Sequence, residues 1–278
     1  MELTFIDCIR GFFLGIVQGL TEFLPVSSSG HLVLFKSILG YAPEGGILTE
    51  VLMHLGTFIA LCIVFRGDIA DMVKGAFGFI GSVVKREKIR VNPSQRMILL
   101  ILITLIPLFI LLPFKDNIEG LYEKPVVVGF ALILTGVLLF LADRAKKGNK
   151  NVLTATPLDA LIVGLFQAFA ITPGLSRSGS TISAGLFRGF SRTFAVRFSF
   201  LMSLPAVLGS VILVVRDSFG SDIGASVIVP ALLGMVSALV SGLFAIKLIA
   251  WLVKKDKFGG FAYYCAAAGV VVIAMNLL

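Results

Sequence analysis

Charge is scarce in this chain. Only 14% of its 278 residues are Asp, Glu, Lys or Arg, and it has two histidines, three cysteines and one tryptophan. That leaves too little polar surface to cover a soluble globule of this length, so a water-soluble fold is excluded. Cys8, Cys62 and Cys265 stand singly in apolar surroundings, without paired or metal-ligand spacing, and suit packing roles. The N-terminus, with Glu2 and Asp7 before Arg10, lacks the basic head and small-residue cleavage site of a signal peptide and is expected to be retained. The phenylalanines are spread too evenly to form a cofactor box.

What the chain does have is apolar length. Hydrophobic residues make up 57% and the mean hydropathy is +1.00. Crossing a hydrocarbon core of roughly 30 Å takes about 20 apolar residues. Segments at roughly 49–65, 97–113, 126–142, 196–215, 227–252 and 260–278 qualify. The expectation is an all-α, polytopic membrane protein with six full spans, forming one membrane domain over 1–278. The net charge of +8 comes largely from loops that would face anionic lipid, and it points to no nucleic acid.

Loop charges set the expected orientation. Lys74, Lys85, Arg86, Lys88 and Arg90 fall in one connection, Arg144 to Lys150 in another, and Lys254 to Lys257 in a third; all belong on the cytoplasmic side. The connections at 115–124 and 217–224 are acidic or neutral and belong outside. The 81–96 stretch reads as a polar connector or short surface helix. Gly234, Ser237, Ser241 and Gly242 form a small-residue face suited to close helix packing, either within one chain or across a homodimer.

Two polar stretches interrupt the apolar pattern, and they are copies. Gly15, Gln18, Ser27, Ser29, Gly30 and Gly40 each match the same residue type 149 positions later (15 to 164, 18 to 167), as do Leu52, Met53 and Leu55. The apolar segments around each stretch, 9–24 with 31–39 and 158–171 with 180–187, are too short for two crossings. Each reads as a re-entrant helical hairpin whose broken backbone must line protein or a water-filled cavity. One is flanked by outside loops and the other by inside loops, so repeats of about 9–142 and 157–278 are expected to be inverted, with both hairpin loops meeting at the midplane.

The chemistry is expected in those loops. In 173–181, Ser176, Ser178 and Thr181 offer hydroxyls, and a helix beginning near Gly179 turns its free N–H groups toward the loop, as an anion site requires. Arg177 adds a planar fork that suits a phosphoryl group; the alternative is an arginine snorkelling to the headgroups. In the first loop, Glu22 lies four residues after Gln18 and so on the same helix face. It can act as a general base, as an oxygen ligand to a hard cation, or as the ion-pair partner of Arg177. His31, expected at the start of a half-helix, can accept a proton or attack phosphorus, or simply be hydrogen-bonded. His54 matches Ser203 in the repeat and reads as packing or polar glue.

Gln18-x-x-x-Glu22, the Ser27-Ser28-Ser29-Gly30-His31 run and Pro173-Gly174-x-Ser176-Arg177-Ser178 together resemble the undecaprenyl-diphosphatase, or bacitracin-resistance, family over essentially the whole chain. The resemblance implies a plasma-membrane phosphatase that converts a C55 polyprenyl diphosphate to the monophosphate for cell-wall glycan synthesis, with Mg2+ or Ca2+ and a site open to the external face. It places the acidic motif on Gln18 and Glu22 as catalyst and metal ligands. The Ser/His motif falls on Ser27 and His31, with Ser28 and Gly30 beside them, and phosphate binding on Ser176, Arg177, Ser178 and Thr181. Many members have Glu where this chain has Gln18, which puts a two-carboxylate metal site in doubt. A flippase of polyprenyl phosphate suits the same symmetry.

Overall fold

A computed structural model describes residues 4–39, 46–84, 91–114, 118, 120–122, 124–218, 224–255 and 258–277. Gly40, the connections at 85–90, 115–117 and 219–223, and residues 256–257, on which much of the repeat match and loop-charge reading rests, lie outside them. The described residues form eleven α-helices: α1 Phe5–Phe23, α2 Ser28–Leu39, α3 Gly46–Val64, α4 Arg66–Val84, α5 Pro93–Leu111, α6 Pro125–Arg144, α7 Pro157–Phe169, α8 Arg177–Phe187, α9 Arg192–Ser218, α10 Ala225–Lys254 and α11 Gly260–Leu277. A 3-10 turn, Leu112–Phe114, follows α5, and one isolated bridge joins Lys150 to Phe190.

Local chemistry sets where the helices begin and stop. α1 and α7 both open with a Thr-x-x-Asp capping box, in which Thr4 and Asp7, or Thr156 and Asp159, satisfy each other's backbone N–H. Pro93, Pro125 and Pro157 occupy first-turn positions, where the missing N–H costs nothing. α1 ends at Phe23 because Leu24 precedes Pro25 and is driven to extended backbone, φ −67° and ψ 142°.

In lipid, helices associate through close packing rather than hydrophobic burial. Gly11, Gly15 and Gly19 recur every four residues on α1 and face α10, where a side chain at Gly15 would collide with the Gly234 carbonyl and the Ser237 hydroxyl. Ser237 Oγ donates to Phe12 O at 2.8 Å, tying the two backbones. The small-residue face of α10 is therefore used inside the chain. α7 approaches α5 the same way, Gly164 resting on the Thr104 backbone, and α6 meets α11 through Gly129 and Gly269. Phe12, Phe13, Phe109, Phe130 and Phe244 cover the outer faces, as a lipid-facing surface should.

By length and composition, α5, α6, α10 and α11 can each cross a bilayer; α3 and α4, bent by 79°, add a fifth crossing if they are one broken span. The protein is thus an all-helical, multi-pass membrane protein. Of the six expected spans, four coincide with single qualifying helices. The 49–65 segment lies in the bent pair, and 196–215 lies inside the 27-residue α9. The start of the 81–96 connector is the end of α4.

Candidate active site

The two helix breaks, 24–27 between α1 and α2 and 170–176 between α7 and α8, touch each other. Gly174 N–H donates to Ser29 Oγ at 3.3 Å, and Ser178 Oγ donates to Leu24 O at 3.2 Å. Ser29 and Ser178 occupy matching positions in the repeat, so each loop is pinned by the same serine of the other. Ser27 and Ser176 also match, and both cap their half-helices: Ser27 Oγ accepts from Gly30 N–H at 3.2 Å and Ser176 Oγ from Gly179 N–H at 3.0 Å. The half-helices therefore begin at Ser28 and Arg177, two residues before the starts expected near Gly30 and Gly179. The N–H of Gly179 is not a free anion donor, because a serine cap consumes it.

At this junction Glu22 meets Arg177. The guanidinium Nη2 donates to Glu22 Oε1, an ion pair between α1 and α8. Glu22 Oε2 accepts from Ser28 Oγ at 2.7 Å and Gln18 Nε2 at 2.9 Å. The i, i+4 pairing of Gln18 with Glu22 is thus a direct hydrogen bond. Gln18 Nε2 also lies 3.0 Å from His54 Nδ1; since the amide nitrogen only donates, the His54 proton sits on Nε2. His54 on α3 is 3.8 Å from Glu22 Oε2 and belongs to the site rather than to the packing.

A cavity of about 270 Å3 opens at this point. Its polar wall comprises Glu22, Ser27, Ser28, Gln167, Ser176 and Arg177, with His54 beside them. Its apolar wall is Val51, Leu108, Ala206, Val207 and Val211 from α3, α5 and α9. Ala170, Ile171 and Leu175 of the second break line it as well. Charged and aliphatic side chains thus share one cavity, which suits an anionic head joined to a hydrocarbon tail.

The remaining candidates stand behind the cavity. His31 is buried, its Nδ1 2.8 Å from Ser27 O and its Nε2 2.7 Å from Tyr264 Oη, with the two rings stacked. A carbonyl only accepts, so the proton is on Nδ1. Thr181 Oγ1 donates to Arg177 O at 2.8 Å and contacts Ser199 Oγ at 2.6 Å. Ser178 holds the Leu24 carbonyl, and Gly30 lies against Gly174. Gln18 sits behind Glu22, and its Oε1 is buried without a partner among the described residues.

His54, Tyr264 and the cavity role of Gln167 escaped sequence reasoning. His54 is 36 positions from Gln18 and Tyr264 is 233 from His31, so neither pairing leaves a local trace. Gln167 did carry a signal, its match to Gln18.

These features define a class: a multi-pass membrane protein in which two broken helix pairs hold a carboxylate against an arginine in a partly apolar cavity. A family model described as "Bacitracin resistance protein BacA" matches residues 11–271, and the chain belongs to that family. It is 40% identical over 271 residues to a protein of Alkaliphilus metalliredigens named undecaprenyl-diphosphatase, covering 97% of this chain and 98% of that one. Proteins of the same name from Carboxydothermus hydrogenoformans and Methanosphaera stadtmanae are each 38% identical, with 97% and 98% of this chain covered and 98% and 99% of theirs.

Proposed function

We propose that this chain is an integral membrane phosphatase that hydrolyses undecaprenyl diphosphate to undecaprenyl phosphate and inorganic phosphate. The product re-enters cell-wall glycan synthesis, and this recycling underlies resistance to bacitracin. The names of the relatives support the substrate. Within the chain, the observation that carries the reading is the Glu22–Arg177 pair set in a cavity that aliphatic side chains also line.

In this reading α1–α2 and α7–α8 are re-entrant hairpins of inverted repeats, entering from opposite faces. α7, with 13 residues, is about 20 Å long at 1.5 Å per residue, short of a roughly 30 Å core. Crossed packing supports the inversion: α1 of the first repeat rests on α10 of the second, and α7 of the second rests on α5 of the first. The site is assigned to the external face of the plasma membrane from the loop charges. Since α1 occupies the small-residue face of α10, a homodimer would use another surface.

Phosphoryl transfer needs mainly positioning and charge neutralisation. Arg177 turns its fork from Glu22 to the terminal phosphate, while Ser28 and Ser176 donate from the cavity wall. Ser178, Thr181 and Gly30 act on the phosphate indirectly, by fixing the loops. Release from Arg177 leaves Glu22 as a base for water. The other route is attack by Ser27 or His31 to give a phospho-enzyme, which requires His31 to leave Tyr264. Mg2+ or Ca2+ belongs in the proposal. Among the described residues no group of three His, Cys, Asp or Glu forms a cage. The buried, unpartnered Gln18 Oε1 beside Glu22 is a hard oxygen that fits such a cation in company with substrate oxygens. When bound, the cation would neutralise diphosphate charge.

The test is phosphate release from a C55 polyprenyl diphosphate by detergent-purified protein, with and without added Mg2+ or Ca2+. Release supports hydrolysis. No release under either condition favours the second reading, a polyprenyl-phosphate flippase, which the mirrored serine contacts of the two loops would suit.

A further inference from the structure

Gln167 is 2% exposed and lines the cavity beside Ser176 and Arg177, yet neither its Oε1 nor its Nε2 has a hydrogen-bond partner among the described residues. Burying a primary amide with both ends unmade weakens a folded chain, and the native state tolerates it where something else completes the bonds. Its repeat twin removes one explanation. Gln18, at the matching position of α1, spends its amide nitrogen on Glu22 and His54. The residue matching Glu22 is Ile171, just past the end of α7, so Gln167 has no carboxylate four residues on to hold.

Both ends of the amide are closed to solvent as the structure stands, so the partner that completes them arrives with substrate and must both accept and donate. A diphosphate alone supplies acceptors; a water molecule beside its terminal phosphate supplies the donor. We propose that Gln167 is the residue that orients the attacking water, Nε2–H donating to a terminal phosphoryl oxygen and Oε1 accepting from the water. A glutamine serves this purpose in other phosphoryl transfers, where it acts by positioning rather than by proton abstraction. The inference rests on the phosphatase reading and selects its water route. Of the rival nucleophiles, His31 has both ring nitrogens bonded away from the cavity, and Ser27 Oγ, which does line it, already accepts from Gly30 N–H and lies 3.3 Å from Ser29 Oγ. In the step, the water oxygen bonds to the terminal phosphorus as the bond from that phosphorus to the bridging oxygen breaks. The bridging oxygen leaves with the electron pair as part of polyprenyl phosphate. Glu22 takes one water proton, and the other stays on the inorganic phosphate.

The test uses the full-length protein in detergent with Gln167→Leu and Gln167→Met, near-isosteric changes that delete both polar ends. Three quantities are measured: kcat on the polyprenyl diphosphate, Kd for a methylene-bridged diphosphonate analogue that cannot be cleaved, and thermal midpoint. The expected result is a kcat lower by about 100-fold, an analogue Kd changed by less than about threefold, and a midpoint equal to or above wild type because an unmade polar pair has gone. Substrate made chiral at the terminal phosphorus should give inverted product in the wild type. Wild-type kcat in either variant overturns the proposal. So does a lowered midpoint or failure to fold in both variants, which would mark Gln167 as structural. A Kd that weakens in proportion to kcat would make it a ground-state contact only, and retained configuration would mean a covalent intermediate; each overturns it too. A wild-type protein that releases no phosphate would instead bring down the phosphatase reading itself.

Discussion

Ser27 and Ser176 both cap a half-helix, and Ser29 and Ser178 each pin the opposite loop, yet the charged and titratable side chains around these twins have no counterpart. In the 149-residue offset Ser28 corresponds to Arg177, Glu22 to Ile171 and His31 to Ser180. The first hairpin supplies the acid and the second supplies the cation that meets it. The backbones turn differently as well. The first break passes through a positive φ at Ser27, 71°, a region costly for a residue with a side chain; the second does so at Gly174, φ 90°, where none is present. The matched positions thus form caps and crossed serines, and in the proposed function the chemistry comes from the positions where the two stretches differ.

The anchoring of the hairpins differs too. α7 is fixed at its base by fully buried Asp159, which accepts from Lys150 Nζ and Arg188 Nε, each at 2.8 Å. The corresponding acid on α1, Asp7, closes an exposed capping box. The arginine-bearing hairpin is the one locked in place from outside the cavity.

Substitutions at the divergent positions should break the comparison most strongly. Arg177→Ala or Glu22→Ala is expected to lower kcat/KM for phosphate release by about 1,000-fold, roughly 4 kcal/mol of transition-state stabilisation. Their repeat counterparts Ser28→Ala and Ile171→Ala should lose less than about tenfold. Equal losses at both members of a pair would mean that the copies share the chemistry.

Asp159→Ala should cost about 2 kcal/mol in a detergent unfolding series, since it removes a buried carboxylate that holds two part-exposed cations and the Thr156 N–H, whereas Asp7→Ala should cost about 1 kcal/mol or less. The Asp159 side chain lies in the first turn of α7, outside the spanning helices. Burial alone would raise its carboxyl, but Lys150, the Thr156 amide and Arg188 outweigh that effect and hold it at about 2, below the ordinary 3.8. Because the folded value is depressed, this stabilisation is complete above the unfolded value. It is lost as pH falls from near 4 toward 2. Asp159→Asn should flatten the loss of stability over that range; an unchanged acid profile would contradict the assignment.

The smallest expected effect falls on the caps. Ser27→Ala and Ser176→Ala should each cost about 1 kcal/mol of stability. They should also reduce turnover to a similar, modest degree. A turnover collapse confined to Ser27→Ala would single it out as the nucleophile and end the water route.

The twin stretches, their meeting and the shared face of Gln18 and Glu22 were legible in the sequence because they rest on periodicity and exact matches. What was not legible depends on competition for hydrogen bonds. Ser27 reads as a nucleophile and Ser176 as a phosphate donor, and nothing in the sequence shows that their oxygens also accept from Gly30 and Gly179, which moves both helix starts. His54 stood in an apolar run with no neighbouring partner, and only the packing of α3 brings it to Gln18. The 79° bend after α3 is likewise marked by no proline in 46–84.

The most direct measurement is a double-mutant cycle on kcat/KM with Glu22→Ala, Arg177→Ala and the two combined. If the two hairpins form one catalytic unit, the double variant should fall within about threefold of the weaker single, because either change already dismantles the site. Losses that multiply would show the two side chains acting independently and would contradict a site built from both halves.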